Sequence, residues 1–200
     1  MQSSLFAEPA GSSESVADIC AELLEQGKAR YPTATFILGT GPTDAEVVIV
    51  GESPGPPDVA SGKPFSGPSG DLLAKIVAAI NIDIAECYLT NVIKFISRAP
   101  QIHQAEFAFF TPFLHRELLA ISPKIIIVLG NTGARGVLGI KQPITQIRGQ
   151  AYDFHGIKAV PTFNPAYVLR DPTKKREVWE DMKLVRDTLI DVYEKSYSAL

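Results

Sequence analysis

Four short apolar runs, each with a glycine or an asparagine at or near its end, alternate with helical segments along the chain. The runs are nearly continuous in apolar character, which is typical of strands that are covered on both faces. This alternation of strand and helix predicts an α/β/α sandwich with a mainly parallel sheet. The predicted strands are EVVIVG (46–51), CYLTNV (87–92), KIIIVLG (124–130) and KAVPTFN (158–164).

Helical spacing of apolar residues marks the segments between and around these strands. Pro112 lies inside one of them and is expected to interrupt that helix or to delay its start. Asp171 is expected to cap the closing helix, with Pro172 at its first position and Trp179 packed against the sheet. The predicted helices cover residues 15–30, 70–82, 104–121, 132–139 and 171–195.

Length and composition favour one folded domain. Of the 200 residues, 46% are hydrophobic and 20% are charged, which suffices for a buried core. We expect a flexible tail over residues 1–15 and a single domain over residues 16–200. No apolar run reaches the ~18 residues that cross a bilayer, and the N-terminus lacks the pattern of a signal peptide. The expectation is a cytoplasmic monomer without membrane contact.

The net charge and the number of cysteines argue against two classes of function, nonspecific binding of nucleic acid and a four-cysteine metal site. A net charge of -3 argues against a high-affinity nonspecific binder of nucleic acid, although RDPTKKR (170–176) forms one local basic strip. A solvated helix start explains that strip equally well. The two cysteines, Cys20 and Cys87, cannot form a four-cysteine zinc or iron–sulfur site.

The first strand exit, Gly51 to Gly55, has the character of a binding turn. In open parallel sheets, ligands bind beyond the carboxyl ends of the strands. The glycines allow a close approach of the backbone, the proline stiffens it, and free N–H groups can bind a carbonyl oxygen. The turn lacks the lysine of a phosphate loop and the three spaced glycines of a dinucleotide site. A tight, proline-rich turn with exposed acids is the simpler alternative.

Three further side chains suit the recognition of a flat, polar ring. Phe65 lies in GKPFSG and can offer a ring face for stacking, or can simply pack its loop onto the domain. Asn91 ends the second strand and presents an acceptor and two donors, enough to read the edge of a pyrimidine. Asn164 ends the fourth strand. Either asparagine can instead cap the following loop.

Four motifs together resemble the family-four uracil-DNA glycosylases and their near relatives in that superfamily. They are GESPGPPDVASGKPFSGPSGDLL, YLTNVIKF, SPKIIIVLG and FNPAYVLRDPTKKREVWEDMK, and the match spans residues ~36–195 in the order of the family. The resemblance implies a three-layer α/β/α sandwich with a four-stranded parallel sheet. It also implies that the partner is DNA containing uracil or another damaged base.

The resemblance assigns roles in the binding of the base. It implies that Phe65 stacks on a flipped uracil and that Asn91 reads its polar edge. The turn that contains Gly51, Glu52 and Ser53 would cradle the base, with backbone amides near Glu52 and Ser53 holding a carbonyl.

The resemblance also assigns roles in catalysis and in DNA binding. Asp58 stands where the family has a glutamate thought to assist the attack of water, and Asp58 or Glu52 would stabilise positive charge on the sugar. Asn164 replaces the histidine that donates a hydrogen bond to the leaving base. DNA would be bound by Tyr167, by Leu169 as a wedge into the base stack and by Arg170 on a phosphate.

The chain departs from the family at its metal site. The family holds a four-iron four-sulfur cluster with four cysteines, and two of those positions are Phe95 and Phe110 here. We therefore expect no metal and no cofactor. Apolar side chains are expected to fill the volume that the cluster takes in the family.

The resulting prediction is a monofunctional DNA glycosylase of base excision repair that removes uracil or a related deaminated base. Since no lysine belongs to the constellation, a Schiff-base lyase step is not predicted. Because Asn164 replaces the histidine and Asp58-Val59 replaces an acidic pair, a protein that binds damaged DNA without cleaving it stays an alternative. A glycosylase for another base, such as hypoxanthine or xanthine, is a second alternative.

Overall fold

A five-stranded sheet forms the centre of the part of the chain that the computed structural model describes, residues 14–96 and 104–198. The order of the strands is β2-β1-β3-β5-β4, and the first four of these are mutually parallel. The four predicted strands are all present, within three residues of their predicted ends. The strands are β1 (Val47–Gly51), β2 (Tyr88–Asn91), β3 (Ile125–Leu129), β4 (Tyr152–Phe154) and β5 (Ile157–Thr162).

The fifth strand, β4, was not predicted. It has three residues and pairs antiparallel with β5 through a tight turn at His155 and Gly156, both of which have positive φ. Its outer side faces solvent, so its sequence, YDF, carries one buried side chain and no apolar run. The four parallel strands are therefore as predicted. The whole sheet has one more strand than predicted, the antiparallel β4.

The helices cover both faces of this sheet. Three short ones, α2, α6 and α7, have only four to six residues each and were not predicted. The closing segment begins with a 3-10 turn, Pro172–Lys174, capped by Asp171 as predicted. The helices are α1 (Val16–Arg30), α2 (Pro56–Ser61), α3 (Pro68–Ala78), α4 (Gln104–Ile121), α5 (Gly130–Leu138), α6 (Ile144–Ile147), α7 (Pro165–Arg170) and α8 (Lys175–Ser198).

The layers confirm the predicted three-layer sandwich. Helix α4 contacts α1 and α5 on one face, while α3 contacts α7 and α8 on the other face. This arrangement follows from right-handed crossovers between parallel strands in this order. Strands β1 and β3 lie at the centre and are buried along their whole length, which explains their continuous apolar sequences.

Two details of the helices differ from expectation. Helix α4 runs unbroken through Pro112, whose missing N–H leaves the carbonyl of Ala108 without its helical donor. Both residues face solvent, where water can hydrate that carbonyl. Trp179 does not pack against the sheet as expected. It is 41% exposed, because the buried residues Val178, Asp181, Met182 and Val185 form the inward face of α8.

The predicted tail falls mostly outside the described residues, which begin at Glu14. Ser15 caps α1 through the amide of Asp18, and Glu14 pairs with Arg116 of α4. Within residues 14–96 and 104–198, no helix is long and apolar enough to cross a bilayer.

An aromatic cluster occupies the positions where the family resemblance implies an iron–sulfur cluster. Phe95 and Phe110 lie with ring centroids 5.5 Å apart, and the ring of Tyr31 lies 4.9 Å from Phe95. Edge and tilted contacts of this kind stabilise beyond the area they bury. The chain offers two cysteines in total, so its residues do not fit a four-cysteine cluster. The aromatic cluster consists of Tyr31, Phe36, Phe95, Phe109, Phe110 and Phe113.

Replacing Phe110 with alanine is expected to lower the free energy of unfolding by about 3–5 kcal/mol, because the ring is fully buried and contacts four others. Urea unfolding followed by circular dichroism measures the change. Leu119→Ala on the exposed side of the same helix serves as the control and should change it by less than about 0.5 kcal/mol. Equal effects of the two substitutions would contradict a structural role for the aromatic cluster.

Candidate active site

Gly51, the last residue of β1, is the point at which Phe65 and Asn91 meet. A Cβ added at Gly51 would overlap Oδ1 of Asn91 and would lie 2.6 Å from Cζ of Phe65. Gly51 and Asn91 are also partners in the register of the sheet, and the Val92 amide donates to the Gly51 carbonyl over 3.0 Å. The absence of a side chain at Gly51 therefore lets a ring and an amide approach each other.

These side chains border an inner cavity of about 160 Å³ at the carboxyl edge of the sheet. Glu52, Ser53, Asp58 and Asn164 line the same cavity. The structure thus brings together every residue that the sequence analysis assigned to base binding and catalysis. They come from the exits of three parallel strands, from α2, which carries Asp58, and from the loop between α2 and α3.

Asn91 is buried but its amide is unused. The residue is 3% exposed, and its side chain makes no hydrogen bond with any residue in the described part of the chain. It borders the inner cavity, where its amide oxygen and NH₂ group can meet a ligand. No fully buried side-chain N or O atom of the described residues lacks a hydrogen-bond partner, so the Asn91 amide is open to the cavity and a ligand can bind it there.

Phe65 is held in an uncommon backbone conformation. Its φ is +57°, a left-handed value that non-glycine residues seldom adopt. The amide of Ser66 donates to Oδ1 of Asp58 over 2.6 Å, and Gly70 packs directly on the Phe65 carbonyl, where any Cβ would overlap the oxygen. The loop therefore fixes the ring against Gly51 rather than burying it in the core.

Asp58 ties the two halves of the site together. Its Oδ2 accepts from the Gly55 amide over 2.8 Å, which caps α2, and its Oδ1 accepts from Ser66. Both oxygens of this buried carboxylate are therefore engaged by backbone N–H groups. In contrast, Glu52 is exposed and its carboxylate forms no ion pair within the described residues.

Asn164 caps α7, and that role orients its amide. Its Oδ1 accepts from the amide of Ala166 over 2.9 Å. Because the oxygen is engaged, the NH₂ group is left as a donor, and no residue in the described ranges accepts from it. Asn164 borders the inner cavity and a larger outer one, so this donor lies at the passage between the two.

The outer cavity has a volume of about 660 Å³ and opens beside α7. Tyr167 and Arg170 line it, whereas Leu169 is 46% exposed at the surface of the same helix. The ring centroid of Tyr167 lies 5.6 Å from that of Phe163, the residue that follows β5. The three residues predicted to bind DNA therefore lie on one short helix beside the mouth of the site.

A buried ionic network, missed in the sequence analysis, fixes the segment that carries Asn91. Lys94 donates to Glu117 of α4 over 2.7 Å and also to the hydroxyl of Thr90. Because Thr90 precedes Asn91 and Lys94 follows it, these bonds hold the chain on both sides of the asparagine. The Tyr88 hydroxyl donates to the other oxygen of Glu117 over 2.6 Å. Burial, and then the charge of Glu117, raise the pKa of Tyr88 far above its usual range, which keeps it a donor.

A second buried carboxylate anchors the end of β5. Asp181 of α8 accepts from the Thr162 hydroxyl over 2.6 Å and from Nη2 of Arg148 over 2.8 Å. Burial raises the pKa of Asp181, and its bonds to Thr162 and Arg148 partly offset that effect. This anchor lies two residues before Asn164. The sequence pattern carried no signal for it, because the three residues are far apart along the chain.

Comparison with known proteins identifies one family that matches most of the chain. The model of the family described as the uracil DNA glycosylase superfamily matches residues 38–183. The type-4 uracil-DNA glycosylase of Archaeoglobus fulgidus is 31% identical over 185 residues, which cover 86% of this chain and 92% of that protein. The type-4 enzyme of Thermotoga maritima is 34% identical over 154 residues, 74% of this chain and 79% of the relative. A DNA polymerase of Bacillus phage SP01 is 28% identical over 153 residues, only 16% of its length.

Replacing Lys94 with methionine is expected to cost about 3–5 kcal/mol of unfolding free energy, because it leaves the buried Glu117 carboxylate without its cation. The matched control is Lys183→Met, which breaks a surface pair with Glu180 and should cost less than about 1 kcal/mol. Urea unfolding of both variants measures the difference. Equal losses would show that the Lys94 pair does not stabilise the segment around Asn91.

Proposed function

This chain belongs to the uracil DNA glycosylase superfamily, and we propose that it is a monofunctional glycosylase that flips uracil, or a related deaminated base, out of DNA and removes it by hydrolysis. One observation carries the proposal: a buried asparagine with an unused amide lies against an aromatic ring at a strand exit, beside a cavity open to the surface. That combination suits a flat ring with alternating donors and acceptors on its edge.

The base binds between Phe65 and Asn91. The phenylalanine ring stacks on the face of the base, a contact of about 1–3 kcal/mol. The amide of Asn91 donates to one carbonyl of uracil and accepts from the neighbouring N–H. The Ser53 amide, which has no hydrogen-bond partner in the described part of the chain, donates to a second carbonyl. Flipping costs a few kcal/mol, and it costs least for a mispaired base.

The glycosidic bond breaks with negative charge moving onto the base and positive charge building on the sugar. The NH₂ group of Asn164 donates to the carbonyl oxygen on which the negative charge develops. This role is supported by the engagement of its oxygen with Ala166, which leaves the donor available. One such donor typically contributes a factor of about 10²–10³ in rate.

The two carboxylates take different roles. Glu52 borders both cavities and its carboxylate is not tied to a cation, so it stabilises the positively charged sugar and orients the attacking water. Asp58 acts as a positioning residue, because both its oxygens hold backbone amides of the Gly55 turn and the Phe65 loop. No step uses a metal or a covalent intermediate with a lysine.

The DNA lies across the outer cavity. Leu169 enters the gap left by the flipped nucleotide, and Arg170 binds a phosphate beside it. Their exposure on α7, directly after the Asn164 cap, supports this arrangement. The short α7 thus links the opening of the duplex to the group that stabilises the leaving base.

The test is to incubate the protein with DNA that contains one U·G pair or one unpaired uracil and to score abasic sites by alkali. We expect strand scission at uracil, and we expect Asn91→Ala to lower the rate at least about 100-fold while the protein stays folded. Absence of product from both substrates at high enzyme concentration would contradict the proposal. Tight binding without scission would identify a binding protein instead.

The donor role of Asn164 can be separated from its capping role. Asn164→Asp keeps an oxygen for the Ala166 amide but removes the NH₂ group, so the rate should fall about 10²–10³-fold or more. The stability of the fold, measured by thermal unfolding, should hardly change. A rate close to that of the unsubstituted protein would show that the leaving base draws no hydrogen bond from this residue.

A further inference from the structure

An exposed tryptophan on α8 has no explanation in the fold or in the site described above. Trp179 is 41% exposed, although the adjacent Val178 and Met182 are buried against the sheet. It is the only tryptophan of the chain. Packing against the sheet therefore does not account for its position, and a single exposed ring gains meaning only from the groups beside it.

The cations next to Trp179 differ from the other cations of this segment whose side chains the structure describes. Lys174, Lys183 and Arg186 each pair with an acid of the same helical segment, and Glu180 beside Trp179 is held by Lys183. Lys175 and Arg176 are exposed and form no ion pair with any residue that the structure describes. At spacings of four and three residues, they lie on the same face of the helix as the ring.

This surface, the α8 platform of Lys175, Arg176 and Trp179, continues from the mouth of the site. The 3-10 turn Pro172–Lys174 joins Arg170, which lines the outer cavity, directly to α8. Lys174 lies 5.7 Å from the ring of Phe163, which lines the same cavity. Trp179 lies four residues beyond Lys175, or about 6 Å along the helix axis. A strand that leaves the site over Arg170 can therefore reach it within a few nucleotides.

We propose that the α8 platform binds the unpaired DNA strand that flanks the excised base. Phosphates pair with Lys175 and Arg176, and one base stacks on Trp179. An aromatic side chain among cations is the usual construction of a site for single-stranded nucleic acid. A duplex offers no free base face to the ring, so the platform favours single-stranded over double-stranded flanks. The proposal rests on the proposed function for the position of the excised base.

Because Trp179 is the sole tryptophan, its emission reports directly on the platform. The probes are single strands of about 5 and about 25 nucleotides, chiefly thymidine, with a central 2′-fluoro-2′-deoxyuridine whose fluorine disfavours the charged sugar and prevents cleavage. A blunt duplex of the longer strand and a long strand without uracil complete the set. Labelled DNA followed by anisotropy measures affinity independently of the emission.

We expect the long single strand to quench Trp179, and the short strand and the duplex to leave its emission nearly unchanged. Trp179→Leu should lower the affinity for the long single strand about fivefold or more and leave the affinity for the short strand unchanged. Ile190→Ala, an exposed apolar residue on the same helix, is the matched control and should change neither affinity.

The outcomes separate this proposal from the proposed function. Tight binding and cleavage of uracil strands without any change in Trp179 emission would overturn the α8 platform and leave the glycosylase intact. Quenching by long strands regardless of uracil, together with no scission of ordinary uracil-containing DNA, would keep the platform and overturn the glycosylase. Equal quenching by the duplex would overturn the platform. A change of emission with protein concentration alone would also overturn it, because it would show that Trp179 contacts a second copy of this chain.

Discussion

The arrangement of the site depends on the close approach of three residues from different segments, made possible because one of them has no side chain. Gly51 ends a fully buried central strand, and the ring of Phe65 and the amide of Asn91 occupy the space that a side chain there would take. The β1–β2 register fixes Asn91 beside Gly51, and the Phe65 loop holds the ring against the same glycine. A hollow with an aromatic wall and a polar edge follows from these two constraints.

Buried polar groups, rather than apolar packing, set the precise positions around that hollow. Asp58 holds two backbone amides, Lys94 and Glu117 brace the segment after β2, and Asp181 anchors the end of β5. Buried carboxylates are costly unless their hydrogen bonds are satisfied, and here each has at least two donors. Such networks stabilise one arrangement of a site more specifically than interchangeable apolar contacts do. The aromatic cluster contributes apolar packing where α1 and α4 meet, with Tyr31 directly after α1 and Phe110 on α4.

The sequence predicted the parallel strands and the residues at their exits, because burial on both faces leaves continuous apolar runs that end at the functional edge. It did not predict β4 or the short helices. The hydrogen bonds of caps such as Asp58 and Asn164, not hydrophobic periodicity, define α2 and α7. Lys94 was missed because a lysine usually signals a surface, and its partner lies 23 residues away. The prediction that Trp179 packs against the sheet was wrong because this residue borders the buried stripe of α8. On a helix, a shift of one residue is enough to move a side chain from the core to solvent.

The proposed function depends on one contact above all, that of the unused Asn91 amide with the edge of the base. The most direct measurement is the side-chain amide resonance of Asn91 in ¹⁵N-labelled protein during titration with free uracil. We expect this resonance to shift saturably, together with the backbone amide of Ser53, while exposed asparagines such as Asn81 stay unchanged. Saturation by uracil without movement of the Asn91 amide, or no response at any attainable concentration, would contradict it.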